Sequence, residues 1–166
     1  QIFREPAFVL ALAFAFTTMA SLLVKFWLAT RQMRHVAAQR GCVPKHFAHS
    51  IELDAHQRAA DYTLAKGRLG IISIALGGAL LLGWTLLGGL DALNMAVRDA
   101  VQPRLGSFAY QLTLLAAFAC IAGLFDLPLE AYSTFRIEAR FGFNHMTWRL
   151  YLLDTLKSAV LGALIG

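Results

Sequence analysis

Charge is scarce in this sequence. Only 15% of its 166 residues are Asp, Glu, Lys or Arg, against 58% hydrophobic. A soluble domain usually carries about 25% charge, so that class is a poor fit. Catalytic signatures are missing as well. There is no H-E-x-x-H, the two-histidine zinc motif that carries its own general base, and no G-x-S-x-G or P-loop. Cys42 and Cys120 are unrelated in spacing; one falls in a segment expected in the cytoplasm and the other inside an apolar run, which argues against a disulfide. His46 and His49 are three apart, so a helix would set them near one face, but they sit beside Pro44 with no acidic or cysteine partner before Glu52. His35, His56 and His145 stand singly and read as interfacial. No internal repeat and no low-complexity tract is present, and nothing forms a complete catalytic constellation.

What the chain does have is long apolar runs. Mean hydropathy is +0.58. A run of about 18 or more apolar residues can cross a hydrocarbon core of about 30 Å as a helix, which satisfies its own backbone hydrogen bonds in lipid. The first run, Ala7 to Ala29, is broken only by Lys25 and follows Pro6, a favourable residue at a helix start. It is too long for a signal peptide, and its one leading arginine is balanced by Glu5. Gly70 to Leu90 and Ser107 to Phe125 carry no charge; Asp126 and Pro128 close the latter. A fourth run, Leu150 to Gly166, contains Asp154 and Lys157. The expected fold is all-α: four transmembrane helices at about 7–29, 70–90, 107–126 and 148–166, in a single membrane domain spanning 1–166. The lack of an initiator methionine and the apolar end suggest part of a longer protein.

Basic residues give a direction. Arg31, Arg34, Arg40, Lys45, Arg58, Lys66 and Arg68 lie between the first two runs, and Arg136, Arg140 and Arg149 between the last two. Only Arg98 and Arg104 lie between the second and third. Short loops rich in Lys and Arg stay in the cytoplasm, so the N-terminus is expected outside. The net charge of +5 then reflects topology and anionic headgroups, with no nucleic acid as partner.

The first basic segment reads as more than a linker. Ser50 can cap a helix whose first turn holds Glu52 and Asp54, and Asp54 can pair with Arg58 four residues on. A cytoplasmic helix is expected over about 51–69, running into the second span after a turn at Val43-Pro44. Ser73/Gly77, Ala79/Gly83 and Gly162/Gly166 have the small-residue spacing that lets helices approach closely in lipid. Gly88-Gly89 mark the exit of the second span. Asp154 and Lys157 can meet on one helix face, either as a structural pair or lining a polar cavity. A bend at Gly142 and a helix cap at Asn144 or Thr147 are expected between the last two runs. Glu138 has Arg136, Arg140 and Lys157 as candidate partners.

Two blocks carry a resemblance. One is Val43-Pro44, Phe47 and the run Leu53-Asp-Ala-His-Gln-Arg-Ala-Ala-Asp-Tyr-Thr-Leu-Ala-Lys. The other is Phe135, Ile137-Glu138, Phe141-Gly142-Phe143-Asn144 and Thr147, then Asp154 with Lys157 three later. Together they resemble the N-terminal membrane region of the Ste24-type CAAX prenyl proteases, zinc metalloproteases of the M48 group. The resemblance implies helices that enclose an intramembrane chamber, and a zinc ion held by an H-E-x-x-H helix and a later glutamate. It implies hydrolysis of peptides or membrane-associated proteins, with zinc expected in the full-length protein and none bound by this chain. Glu138, Phe141, Gly142, Phe143, Asn144, Asp154 and Lys157 carry over as family-signature positions only. No catalytic or metal residue carries over, so this chain should not be active alone. The partners implied are membrane lipids, the remainder of the protease chain and a peptide or membrane-protein substrate. The alanine-rich, arginine-using sequence looks bacterial, which suggests an inner-membrane location and makes a prenylated substrate doubtful; membrane-protein quality control is then the role the resemblance implies. A non-catalytic scaffold subunit with the same fold is the alternative, and a transporter fragment using Asp154 and Lys157 a weaker one.

Overall fold

A computed structural model describes residues 6–44, 47 and 49–165, and the described residues form helices with no strand among them. Lys45, His46 and Gly166 lie outside the described residues. The backbone separates into two compact units, Gln1–Ala96 and Val97–Gly166.

The first unit is built on helices α1 (Pro6–Gln39) and α2 (Leu53–Thr85). Helix α1 begins at Pro6, as its fixed φ favours. At 1.5 Å per residue these 34- and 33-residue helices are about 50 Å long, against a hydrocarbon core of about 30 Å. The stretch from Arg31 to Gln39, expected as loop, is helical because nothing in it breaks a helix. The expected cytoplasmic helix and second span are one continuous helix, α2.

The two helices pack antiparallel and in step. A Cβ on Gly67 would come within 2.9 Å of the Met33 side chain, and one on Gly78 within 2.7 Å of Leu22. Residue numbers fall on α1 as they rise on α2. Gly67 and Gly78 are three turns apart and share a face. At the expected close-approach positions Gly77 and Gly83, a Cβ would instead meet nothing within 4 Å. Spacing by four marks a face that is narrow, but which small-residue face meets the partner depends on the hairpin register.

The turn ahead of α2 also differs from expectation. Ser50 does not cap: its hydroxyl donates to the Phe47 carbonyl at 3.2 Å, and the helix starts after Glu52, whose side chain makes no cap bond. Asp54 does sit in the first turn, paired with Arg58 at 2.7 Å. Above it Arg40 grips Asp61 in bidentate fashion, at 2.7 and 2.8 Å, while His56 Nε2 lies 3.0 Å from the Gln39 carbonyl oxygen. These contacts tie the last turn of α1 to the first turns of α2. Hydrogen bonding to the Asp61 carboxylate, and its charge, raise the Arg40 pKa beyond its ordinary value.

Helix α3 (Gly89–Tyr132) follows a turn in which Gly88 has a positive φ of 76°. It is interrupted at Gly106, with φ 80° and ψ 179°. That region of backbone space is open essentially to glycine alone. Residues expected as a loop ahead of Ser107 are therefore helical, and Gly106 places the break one residue before the expected third span. The expected end after Asp126 is overturned. The helix runs through Pro128 to Tyr132 and continues as a π-helical turn, Ser133–Glu138. Proline removes one amide donor without ending a helix when neighbouring groups compensate. Helix α4 (Trp148–Ile165) follows.

Three helical stretches are long and apolar enough to cross a membrane: Pro6–Gln39, Leu53–Thr85 and Gly89–Glu138. Large apolar side chains along them are open, such as Phe16 at 75% and Phe108 at 81% exposure, as lipid-facing groups are. Helix α4 has 18 residues, including Arg149, Asp154 and Lys157, and is not among the three.

Candidate functional site

Five of the signature residues, Glu138, Phe141, Gly142, Phe143 and Asn144, lie in or beside the turn between α3 and α4. Gly142, with φ 77°, stops the helix in the left-handed conformation. The Gly142 amide donates to the Ala139 carbonyl at 3.2 Å, and the Phe143 amide to the Glu138 carbonyl at 2.9 Å. This is the double closure of a Schellman cap, with Gly142 just past the helix end. The bend expected at Gly142 is thus a helix stop that uses the Glu138 backbone. Asn144 Oδ1 accepts the Met146 amide at 2.6 Å, forming an Asx turn, and Thr147 Oγ1 accepts the Leu150 amide at 3.3 Å as the N-cap of α4. Of the two residues expected to cap, Thr147 does so. Phe141 is half-buried with the Arg140 guanidinium 5.8 Å from its ring centre, and Phe143 is 59% exposed.

Asp154 and Lys157 lie farther along α4, the first half-buried and the second exposed. They do not pair. Among the described residues the ion pairs within 4 Å are Arg40–Asp61 and Asp54–Arg58. Their separation of three sets them on neighbouring parts of the helix surface, yet no contact within 4 Å joins them.

An aromatic cluster missed at the sequence level holds α4 to the end of α3. Phe135 stacks on Trp148 with ring centres 3.7 Å apart and planes 12° from parallel. Tyr151 meets both rings edge-on at 5.5 and 6.1 Å. Tyr151 is only 6% exposed, and its hydroxyl donates to the Leu127 carbonyl, beside Pro128, at 3.3 Å. Its signal was available: Trp148 and Tyr151 are three apart, on one face of a helix that opens a membrane run. Its partner Phe135 lies in the π-helical turn, whose changed register no spacing rule anticipates.

Within the first unit a groove of about 460 Å³ runs between α1 and α2. Thr17, Thr18, Ser21, Lys25 and Ser73 line it, over a floor at Gly77 and Gly78. Thr17 spends its hydroxyl on the Ala13 and Phe14 carbonyls. Lys25 has no carboxylate within 4 Å among the described residues. The groove can host polar groups such as peptide carbonyls, and among the described residues no hydrogen bond joins one of its hydroxyls to Lys25. Sequence reading passed over it, although 17, 21 and 25 recur every four residues along the first run. Among the described residues no group of three His, Cys, Asp or Glu side chains could hold a metal ion, so zinc does not fit them; His46, three residues before His49, is outside them. Cys42 and Cys120 are both free thiols.

Helices of this length and order, joined by this capped turn, define a membrane region of known type. The family described as CAAX prenyl protease N-terminal, five membrane helices, matches residues 32–166, and the chain belongs to that family. It is an integral membrane protein. CAAX prenyl protease 1 of Saccharomyces cerevisiae is 26% identical over 147 residues, 84% of this chain and 32% of that protein. The CAAX prenyl protease 1 homolog of Arabidopsis thaliana is 26% identical over 170 residues, covering 95% of this chain and 38% of its own. In fold the chain resembles the crystal structure of Ste24p from S. mikatae, with TM-score 0.85 and 24% identity over 94% of this chain and 36% of that one. The chain therefore spans about a third of the length of these relatives.

Proposed function

We propose that this chain is the N-terminal transmembrane part of a Ste24-like zinc metalloendopeptidase, which cleaves peptides or membrane-associated proteins in CAAX-type processing or membrane-protein quality control. The observation that carries the reading is the hydroxyl- and lysine-lined groove at membrane depth in a chain of this family. Polar side chains within spanning helices are costly in lipid and persist where they line a cavity. In this reading the groove is a stretch of chamber wall that holds substrate backbone by hydrogen bonds. Zinc and the catalytic groups belong to the remainder of the protease chain, and Glu138, Phe141, Gly142, Phe143, Asn144, Asp154 and Lys157 are signature positions that shape the end of α3 and the start of α4. The fourth span is α4, which completes one membrane domain with the other three. The basic residues of the first and third connections support an N-terminus on the outside. Composition favours a bacterial inner membrane, while the curated relatives named above are eukaryotic.

The test is metal analysis of the intact protein together with cleavage of a peptide substrate. Stoichiometric zinc and cleavage abolished by a chelator are expected. Lys25→Met should leave zinc content unchanged and lower kcat/KM. Absence of both metal and cleavage would replace the protease reading with that of a non-catalytic scaffold subunit.

A further inference from the structure

A shallow pocket of about 350 Å³ lies on one flank of α1, lined by Phe26, Trp27, Thr30, Arg31 and Arg34. These positions follow helical spacing, so the pocket belongs to one face of one helix. Trp27 is 59% exposed, and the Arg31 guanidinium lies 5.4 Å from its ring centre. That cation–π contact restrains Arg31 beside the ring. Arg34 adds a second fork one turn on. The pocket sits where the apolar run of α1 gives way to basic residues, the depth at which tryptophan and arginine meet lipid headgroups.

The positive charge here is uncompensated. Helix α1 contains no acidic residue from Pro6 to Gln39. On α2, the facing carboxylates Asp54 and Asp61 are engaged by Arg58 and Arg40. Neither Arg31 nor Arg34 has a carboxylate within 4 Å among the described residues. Two guanidinium forks beside an indole offer bidentate hydrogen bonds to a phosphate and an amphipathic ring for the glycerol and upper acyl region.

We propose that this face of α1 is a binding site for an anionic phospholipid of the surrounding membrane, with Arg31 and Arg34 on the phosphate and Trp27 against the glycerol backbone. The site acts as an anchor that fixes the depth of α1. It depends neither on which end of the helix is cytoplasmic nor on the protease reading.

The test is native mass spectrometry of the intact protein in detergent, titrated with phosphatidylglycerol, phosphatidylcholine or inorganic phosphate. Retention of phosphatidylglycerol over phosphatidylcholine is expected. The double variant Arg31→Ala/Arg34→Ala should weaken phosphatidylglycerol binding about 25-fold, from a factor of about five for each arginine near an anionic surface. The variant Arg98→Ala/Arg104→Ala removes the same charge elsewhere and should leave binding unchanged. Arg31→Lys/Arg34→Lys, a guard against misfolding, should keep part of the affinity. An equal loss in both Ala variants, equal retention of the two lipids, or displacement by inorganic phosphate at matched concentration would each overturn the proposal.

Discussion

At the scale of single residues, two adjacent glycines should respond in opposite ways. Gly77 faces open space, whereas a Cβ at Gly78 meets the Leu22 methyl groups at 2.7 Å. Gly77→Ala should therefore raise stability by about 0.5–1 kcal/mol, the helix-propensity gain. Gly78→Val should lower it by about 1–3 kcal/mol, because the interhelical gap is already filled. Thermal melts in detergent check both; a stabilising Gly78→Val would mean that the hairpin register is different. Gly142→Ala should cost about 1–2 kcal/mol for a left-handed Cβ even though its surroundings are open. The bend at Gly142 could be read from residues alone because glycine between two phenylalanines has few other uses. The close approach at Gly78 could not, since the sequence holds other small residues at similar spacing and only Leu22 selects among them.

At the scale of elements, the docking of α4 rests on aromatic rings and one hydroxyl. Tyr151→Phe keeps the ring contacts and loses the bond to Leu127, at an expected cost of about 0.5–1.5 kcal/mol. Trp148→Ala loses the stack on Phe135 and should cost more, measurable as lost amide protection in α4 by hydrogen exchange. The Arg40–Asp61 clasp closes the α1–α2 hairpin. Folding raises the Arg40 pKa, so its contribution is complete below the ordinary arginine value and fades only as pH rises through the still higher folded one. The destabilisation by Arg40→Gln should accordingly be the same at about pH 6 and about pH 9; a clear difference in chemical-denaturation midpoints between the two would assign the clasp to another titrating group. Helix type was legible everywhere the apolar period was strong. Helix ends were not: α1 outran its apolar run because Gln32 to Gln39 contains no breaker, and α3 crossed Pro128 because the loss of one amide donor need not end a helix.

At the scale of the whole molecule, a chain that is the N-terminal part of a longer protease, as proposed, should depend on the remainder for its stability. A segment spanning about a third of its relatives, with a polar groove open between two helices, exposes surface that a complete enclosure would cover. Residues 1–166 alone should melt at a lower temperature in detergent than the intact protein; equal midpoints would show that the segment is self-sufficient. Topology is open to labelling of its free thiols. With the N-terminus outside, a membrane-impermeant maleimide should reach exposed Cys42 from the cytoplasmic side alone.

Residue order is enough to establish a helical membrane protein of the Ste24-type family. Lipid leaves an apolar run little choice but a helix, and the turn needs a glycine at 142 for its positive φ and uses the Asn144 side chain to close it. The packing of the helices settled the rest: which glycines admit a neighbouring helix, that Asp154 and Lys157 stand apart, and that Phe135, Trp148 and Tyr151 share one cluster. It also brought Thr17, Thr18, Ser21, Lys25 and Ser73 to a common groove. Each of these depends on the register and rotation of one helix against another, and a displacement of one residue along a helix turns a side chain by about 100°.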